Sequence, residues 1–241
     1  MKHLFILTGC SKGLGKALLG SLLENKENHV LGISRSAMQE QERFVHIQLD
    51  LADTTALINV LPEVFPEGDF EKVVLINNAG WIGEIAPLGK LDPVGILKIH
   101  TINVVAPAIL INEYVKKYAD REMEKLVVNI SSGAAVKDID GWSGYSSSKS
   151  ALNRISGVAQ EESDLNGYGI RYFALAPGIV DTPMQEDIRS AKSADFSGLE
   201  KFRSFKSNNE LSSPVEVSKK VIYLIEHSDL FKGVIQDVRK F

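Results

Sequence analysis

The chain has a single cysteine, Cys10, so it cannot form an internal disulfide; this fits a reducing compartment, and the cytoplasm is the expected location. It has no block of basic residues and a formal net charge of −4, which argues against a nucleic-acid or anionic-membrane surface. No run approaches the roughly 20 consecutive apolar residues of a membrane span. The apolar stretch Leu4–Leu7 is too short for the core of a signal peptide and stops at Thr8-Gly9. His3, His29, His46, His100 and His227 never fall at metal-ligand spacing, so no metal site is expected. What remains is ordinary for a globular protein. With 241 residues, 44% of them hydrophobic, the chain can bury a full core as one large domain or at most two small ones.

Short apolar runs bounded by turn residues recur at 3–7, 29–33, 44–49, 72–76, 126–130, 170–174 and 233–236. Most are near-continuous in Val, Ile, Leu and Phe, as expected of strands covered on both faces. Helix-length segments lie between them. Leu14, Ala17, Leu18 and Leu22 form one apolar face; Ile102, Val105, Ile109 and the stretch Asn112 to Tyr114 suggest another. This alternation predicts an α/β fold, a doubly wound parallel sheet, with residues 1–241 as one domain. The sequon Asn129-Ile130-Ser131 falls on a predicted buried strand and is discounted. The least regular stretch, 181–214, carries Phe196, Leu199, Phe202 and Phe205 at roughly helical spacing. It reads either as a lid over a site or as a surface helical hairpin packing its phenylalanines on the core.

The first strand runs into Thr8-Gly9-Cys10-Ser11-Lys12-Gly13-Leu14-Gly15. Glycines there permit a tight turn and close approach of backbone to a phosphate, which the N–H groups of the following helix would meet. A Walker loop is excluded because Leu14 stands where its second glycine should be. The strict G-x-G-x-x-G pattern fails at Leu18. The second strand ends Ser34-Arg35-Ser36, with no carboxylate before Glu40. An NAD site usually places an acid there for the ribose 2′-hydroxyl, whereas Arg35, helped by Lys12, suits a 2′-phosphate and so NADP(H). Further along, Tyr145 and Lys149 are four residues apart, about one helical turn, with Ser132 thirteen residues upstream of Tyr145. A nearby cation lowers a tyrosine pKa and makes the phenol a usable proton donor and acceptor. A solvated Tyr/Lys helix face is the commoner explanation of such a pair taken alone.

Thr8–Gly15, Asn77-Asn78-Ala79-Gly80, Asn103, Ser132, Tyr145/Lys149 and Pro177-Gly178 with Thr182 together resemble the ordered motif set of the short-chain dehydrogenase/reductase family. The resemblance implies a Rossmann-type sheet and NADP(H) bound by Gly9, Ser11, Lys12, Gly13, Leu14 and Gly15, with Arg35 at the adenosine. It places Asp50 and Leu51 on adenine, Asn78, Ala79 and Gly80 beside the cofactor, and Pro177, Gly178, Val180 and Thr182 after the sixth strand. It makes Tyr145 the proton donor to a carbonyl substrate and gives Lys149 the tasks of lowering the Tyr145 pKa and holding the nicotinamide ribose. Ser132 would bond the substrate oxygen, and Asn103 would hold a water linking Lys149 to solvent.

The ending Gly233–Phe241 lacks the family's usual paired glycines. With Gly141-Trp142 and Ala176–Gln185 it is similar to the sepiapterin reductase and bacterial benzil reductase branch. That likeness implies reduction of a conjugated or vicinal dicarbonyl. Asp237 would anchor substrate, unless it is an exposed acid paired with Arg239 or Lys240. Trp142 and Met184, with Trp81 as a further candidate, would wall the pocket, unless they are plain core residues; Gly178 would also touch substrate. A β-ketoacyl or sugar-alcohol oxidoreductase, or a non-catalytic NADP(H)-sensing regulator, are the alternatives on the same scaffold. The family pattern further implies a homodimer or homotetramer built through helices around 99–118 and 147–163.

Overall fold

The computed structural model describes residues 2–241. Seven strands form one all-parallel sheet: β1 His3–Thr8, β2 Asn28–Ser34, β3 Phe44–Gln48, β4 Lys72–Asn77, β5 Glu124–Ile130, β6 Ile170–Ala176 and the short β7 Ile235–Asp237. Their order is β3-β2-β1-β4-β5-β6-β7. All seven expected strands are present, within a few residues of the expected bounds. The winding reverses between β1 and β4, so the loops after those strands diverge and leave a crevice at the carboxyl end of the sheet.

The pleat explains the two-sided core. Phe5 and Leu7 of β1 face one layer, which holds α1 (Gly13–Glu24), packing through Leu14, Leu18 and Leu22, and α8 (Pro214–Glu226), packing through Val217, Val221 and Leu224. Leu4 and Ile6 face the opposite layer of α2 (Thr54–Val64), α4 (Ala106–Tyr118) and α5 (Ser143–Asn166), and α3 (Pro93–His100) leads into α4. Asp53 caps α2 by accepting from Ala56 N, Asp92 caps α3, and Ser213 and Glu216 form a reciprocal capping box on α8.

The expected face of the fourth helix needs correction. A π-helical segment, Thr101–Val105, joins α3 to α4 and adds a residue to the turn, which breaks the 3.6-residue phase. Ile102 stays buried, but Val105 turns out to 42% exposure, and the inward face of α4 is Ala106, Leu110, Ile111, Tyr114 and Tyr118. By length and composition the continuous helical stretch Pro93–Tyr118 could cross a membrane, with a mean hydropathy of 1.8. Here its Ile99, Leu110, Tyr114 and Tyr118 are core side chains of the fold. Asn129 of the sequon is fully buried on β5.

Residues 181–214 form two helices, α6 (Pro183–Arg189) and α7 (Leu199–Ser207). The base of this excursion is closed by the Asp181 N to Ser212 O bond at 2.9 Å and the Ser212 N to Ile179 O bond at 3.0 Å. Phe196, Leu199 and Phe202 pack with Trp142, Tyr145 and Ile188 in a third apolar cluster over the crevice. The phenylalanines therefore do pack inward, and they do so on the site.

Candidate active site

A cavity of about 710 Å³ runs along the carboxyl end of the sheet. Of the cofactor, catalytic and substrate residues expected from the sequence, all but Asn103 and Asp237 border it.

At one end lies the turn from β1 into α1. Gly9 has φ +72°, and a side chain there would press on Ala79 Cα at 2.9 Å. A Cβ on Gly15 would stand 2.1 Å from Gly9 O and 2.5 Å from Asn78 Nδ2, so only glycine fits. Thr8 Oγ1 accepts from the N–H groups of Asn78 and Ala79, both at 3.0 Å, and Asn78 Nδ2 donates to Thr8 O at 2.9 Å. The turns after β1 and β4 are thus stapled together. No side chain caps the N-terminus of α1, and its first turn holds no acid. Its free N–H groups and positive dipole end are a donor set for a phosphate. Thr182 leans on this turn, its Cγ2 lying 3.2 Å from where a Gly13 Cβ would be. Arg35 and Ser36 extend the cavity past the end of β2, and Asp50 and Leu51 border it after β3. Glu40 points elsewhere, its Oε1 accepting from His46 N at 3.0 Å.

At the other end stand Ser132, Tyr145 and Lys149. Lys149 is 3% exposed, its Nζ donates to Ile130 O at 2.7 Å and lies 5.8 Å from the Tyr145 ring centre. Burial lowers its pKa to about 8. Tyr145 departs from expectation: burial raises its pKa, and only the hydrogen bond with Ser132 opposes the rise. Desolvation is the main influence on both groups, and each is pushed toward its neutral form. Ser132 both borders the cavity and caps the short turn after β5, its Oγ accepting from Ala134 N at 3.1 Å.

Asn103 sits in the π-helical segment and is 1% exposed. Its Oδ1 accepts from Trp81 N at 2.9 Å, and its Nδ2 donates to Trp81 O at 2.9 Å and to Ser148 Oγ at 3.0 Å. These bonds tie the Gly80-Trp81 loop to the helix carrying Lys149.

Asp237 is already paired. Its near neighbour Arg239 donates Nε to Oδ1 at 2.9 Å and Nη2 to Oδ2, and the Arg239 backbone N adds a bond to Oδ1 at 3.0 Å. The guanidinium holds the carboxyl below its usual range. Arg239, not Asp237, borders the cavity. Asp237 is thus in an ion pair with Arg239 and off the cavity wall in this structure.

Trp142 is 5% exposed and lies 5.6 Å from the Tyr145 ring, edge to face, and 5.6 Å from Phe196. Met184 and Trp81 complete the wall, with Lys98 Nζ 5.3 Å from the Trp81 ring centre. Gln185 and Ile188 of α6 also border the cavity, and sequence reasoning misses both. The one signal for Gln185 is its place beside Met184, since a glutamine in a helix is otherwise ordinary.

A short chain dehydrogenase family model matches residues 3–193. The chain belongs to the short-chain dehydrogenase family. A benzil reductase ((S)-benzoin forming) of Bacillus cereus is 32% identical over 241 residues, 95% of this chain and 96% of that one. A sepiapterin reductase of Bos taurus is 27% identical over 253 residues, covering 96% and 92%. A solved short-chain dehydrogenase/reductase from Saccharomyces cerevisiae superposes with a TM-score of 0.84 at 26% identity, over 99% of this chain and 96% of that one. Family membership makes this chain an oxidoreductase with a nicotinamide cofactor. The uncapped α1 terminus and the glycine-only turn beside it fit such a group.

Proposed function

We propose that this short-chain dehydrogenase is an NADPH-dependent carbonyl reductase whose substrate is a conjugated or vicinal dicarbonyl of the sepiapterin or benzil kind. The observation that carries the reading is one continuous cavity with an anion-binding helix terminus and Arg35 at one end and Tyr145, Ser132 and an aromatic wall at the other. The cofactor's contribution, when bound, is a hydride for the carbonyl carbon. Tyr145 gives its phenolic proton to the developing alkoxide, and Ser132 Oγ donates a hydrogen bond to the same oxygen. The ammonium of Lys149 favours the tyrosinate left behind. Arg35 and Lys12 favour the 2′-phosphorylated cofactor, since the end of β2 carries a guanidinium where an NAD site usually has an acid and Glu40 is turned to β3.

The aromatic wall of Trp142, Phe196 and Phe202 suits a flat conjugated substrate. The 181–214 segment, hinged where Asp181 and Ser212 pair, acts as a lid whose closure keeps water from the reaction. The free thiol of Cys10 suits a cytoplasmic setting.

The test is NADPH oxidation with benzil, sepiapterin and a β-ketoacyl thioester in parallel, with NADH as control. Tyr145→Phe should cut turnover about 10²- to 10⁴-fold, the range for a positioned general acid, while NADPH still binds. Arg35→Ser should raise KM for NADPH about tenfold and leave NADH unchanged. Turnover of the thioester alone would move the assignment to a β-ketoacyl reductase. NADPH binding without reduction of any of the three would favour a sensing protein.

A further inference from the structure

Two polar groups in the cavity wall have no part in the chemistry above. Gln185, the third residue of α6, is 8% exposed, and its Oε1 is sealed from solvent with no hydrogen-bond partner among the described residues. Trp142 is 5% exposed, and its Nε1 is likewise sealed and unpartnered among the described residues. Both residues border the cavity, as do Ser132, Tyr145 and Met184. Buried polar atoms are nearly always paired, because leaving one unmade forfeits its hydration with nothing in return. Both atoms belong to residues that border one cavity, and a rotation of either side chain that brings its polar atom to the cavity lets a ligand pair it.

We infer that Trp142 and Gln185 form a subsite for a second oxygen of the substrate, on the carbon next to the reacting carbonyl. The reacting oxygen is served by Ser132 and Tyr145, so these two groups are left for a neighbour. An indole N–H only donates, whereas a primary amide both donates and accepts. A second carbonyl oxygen can accept from the indole and from the amide N–H. A hydroxyl can accept from the indole and donate to the amide oxygen, so the α-hydroxy ketone formed by the first reduction fits the same pair. Phe196 and Phe202, with ring centres 5.6 and 5.3 Å from Trp142, surround the polar pair with apolar surface. A few polar groups in an apolar wall are what give a pocket its specificity. A site built to hydrogen-bond a substrate oxygen also discriminates strongly against an analogue that lacks it.

The inference rests on the carbonyl-reductase reading, and its test separates the two. Benzil and deoxybenzoin share two phenyl rings and a reacting ketone, but deoxybenzoin lacks the second oxygen. kcat/KM for each is measured with NADPH for the wild type, Trp142→Phe and Gln185→Met, beside the NADPH dissociation constant and melting temperature. For each variant the loss on benzil should exceed the loss on deoxybenzoin by about tenfold or more, with cofactor binding unchanged. Equal losses on both ketones would make the pair a structural wall and overturn the subsite, as would no loss on either. Because the two substitutions lie on different elements, a folding defect in one leaves the other to decide. A wild type that binds NADPH and reduces neither ketone would overturn the reductase reading and the subsite together.

Discussion

Burial lowers the Lys149 pKa to about 8 and raises that of Tyr145, so near neutral pH the site holds an ammonium beside a protonated phenol. On the proposed mechanism the protonated phenol is the form that reduction requires. Raising the pH through about 8 removes the cation and not the phenolic proton, so the loss of activity should report Lys149. With saturating ketone, kcat/KM for NADPH should be level below about pH 7 and fall with a midpoint near 8. A profile level to about pH 9.5, more than a pKa unit past that midpoint, would contradict the burial effect. Stability carries the same titration with a fixed sign. The folded pKa lies below the ordinary 10.5, so between about 8 and 10.5 the unfolded chain binds more protons and folding grows more favourable as pH rises. Relative to Lys149→Met, the cofactor-free wild type should gain on the order of 3 kcal/mol across that window, read from denaturant unfolding at a series of pH values.

Elements differ in how legible they are. Strands buried on both faces, β1, β4 and β5 among them, announce themselves as apolar runs of six or seven residues, whereas the half-exposed edge strands β3 and β7 are shorter. The turn after β1 is readable because its glycines answer to backbone sterics. The π-helical segment is not, since an inserted residue leaves no mark in composition and shifts the phase of every apolar position after it. Nor is the fate of Asp237, which depends on where the flexible Arg239 side chain settles. The same steric logic separates two glycines of α1. A Gly15 Cβ would overlap Gly9 O at 2.1 Å, while a Gly20 Cβ meets nothing within 4 Å. Gly15→Ala should destabilise by roughly 1–3 kcal/mol and weaken NADPH binding at least about tenfold, because the turn must open to admit the methyl. Gly20→Ala should stabilise by roughly 0.5–1 kcal/mol through the helix propensity of alanine and leave binding alone. Thermal melts with and without NADPH distinguish them, and equal behaviour of the two variants would remove the steric account of the turn.

At the scale of the molecule, the outer faces of the helical layer carry several exposed apolar side chains. Val94 and Leu97 of α3 are 67% and 70% exposed, and Val105 beside α4 and Val158 of α5 are 42% and 47% exposed. Isolated exposed apolar residues are common. Val105 and Val158 lie in the segments, 99–118 and 147–163, through which the family resemblance implies association, and a two-fold axis would let each such patch meet its own copy. We therefore expect a particle of twice the 26.5 kDa chain mass by light scattering at micromolar concentration. Val105→Glu with Val158→Glu should shift it to monomer, since a stable interface of roughly 800 Å² per partner tolerates charges poorly at its core. A monomeric wild type would contradict this, and a particle of four chains would require a second contact face. The consequence reaches the site, because Tyr145 and Lys149 stand on the same α5 that would carry the interface. If the interface holds that helix in place, the monomeric variant should lose melting temperature and kcat together while Ser132→Ala in the dimer loses kcat alone. If the monomer keeps full kcat, the fold positions the catalytic helix unaided, through the Asn103 to Ser148 bond and the packing of α5 on β5 and β6.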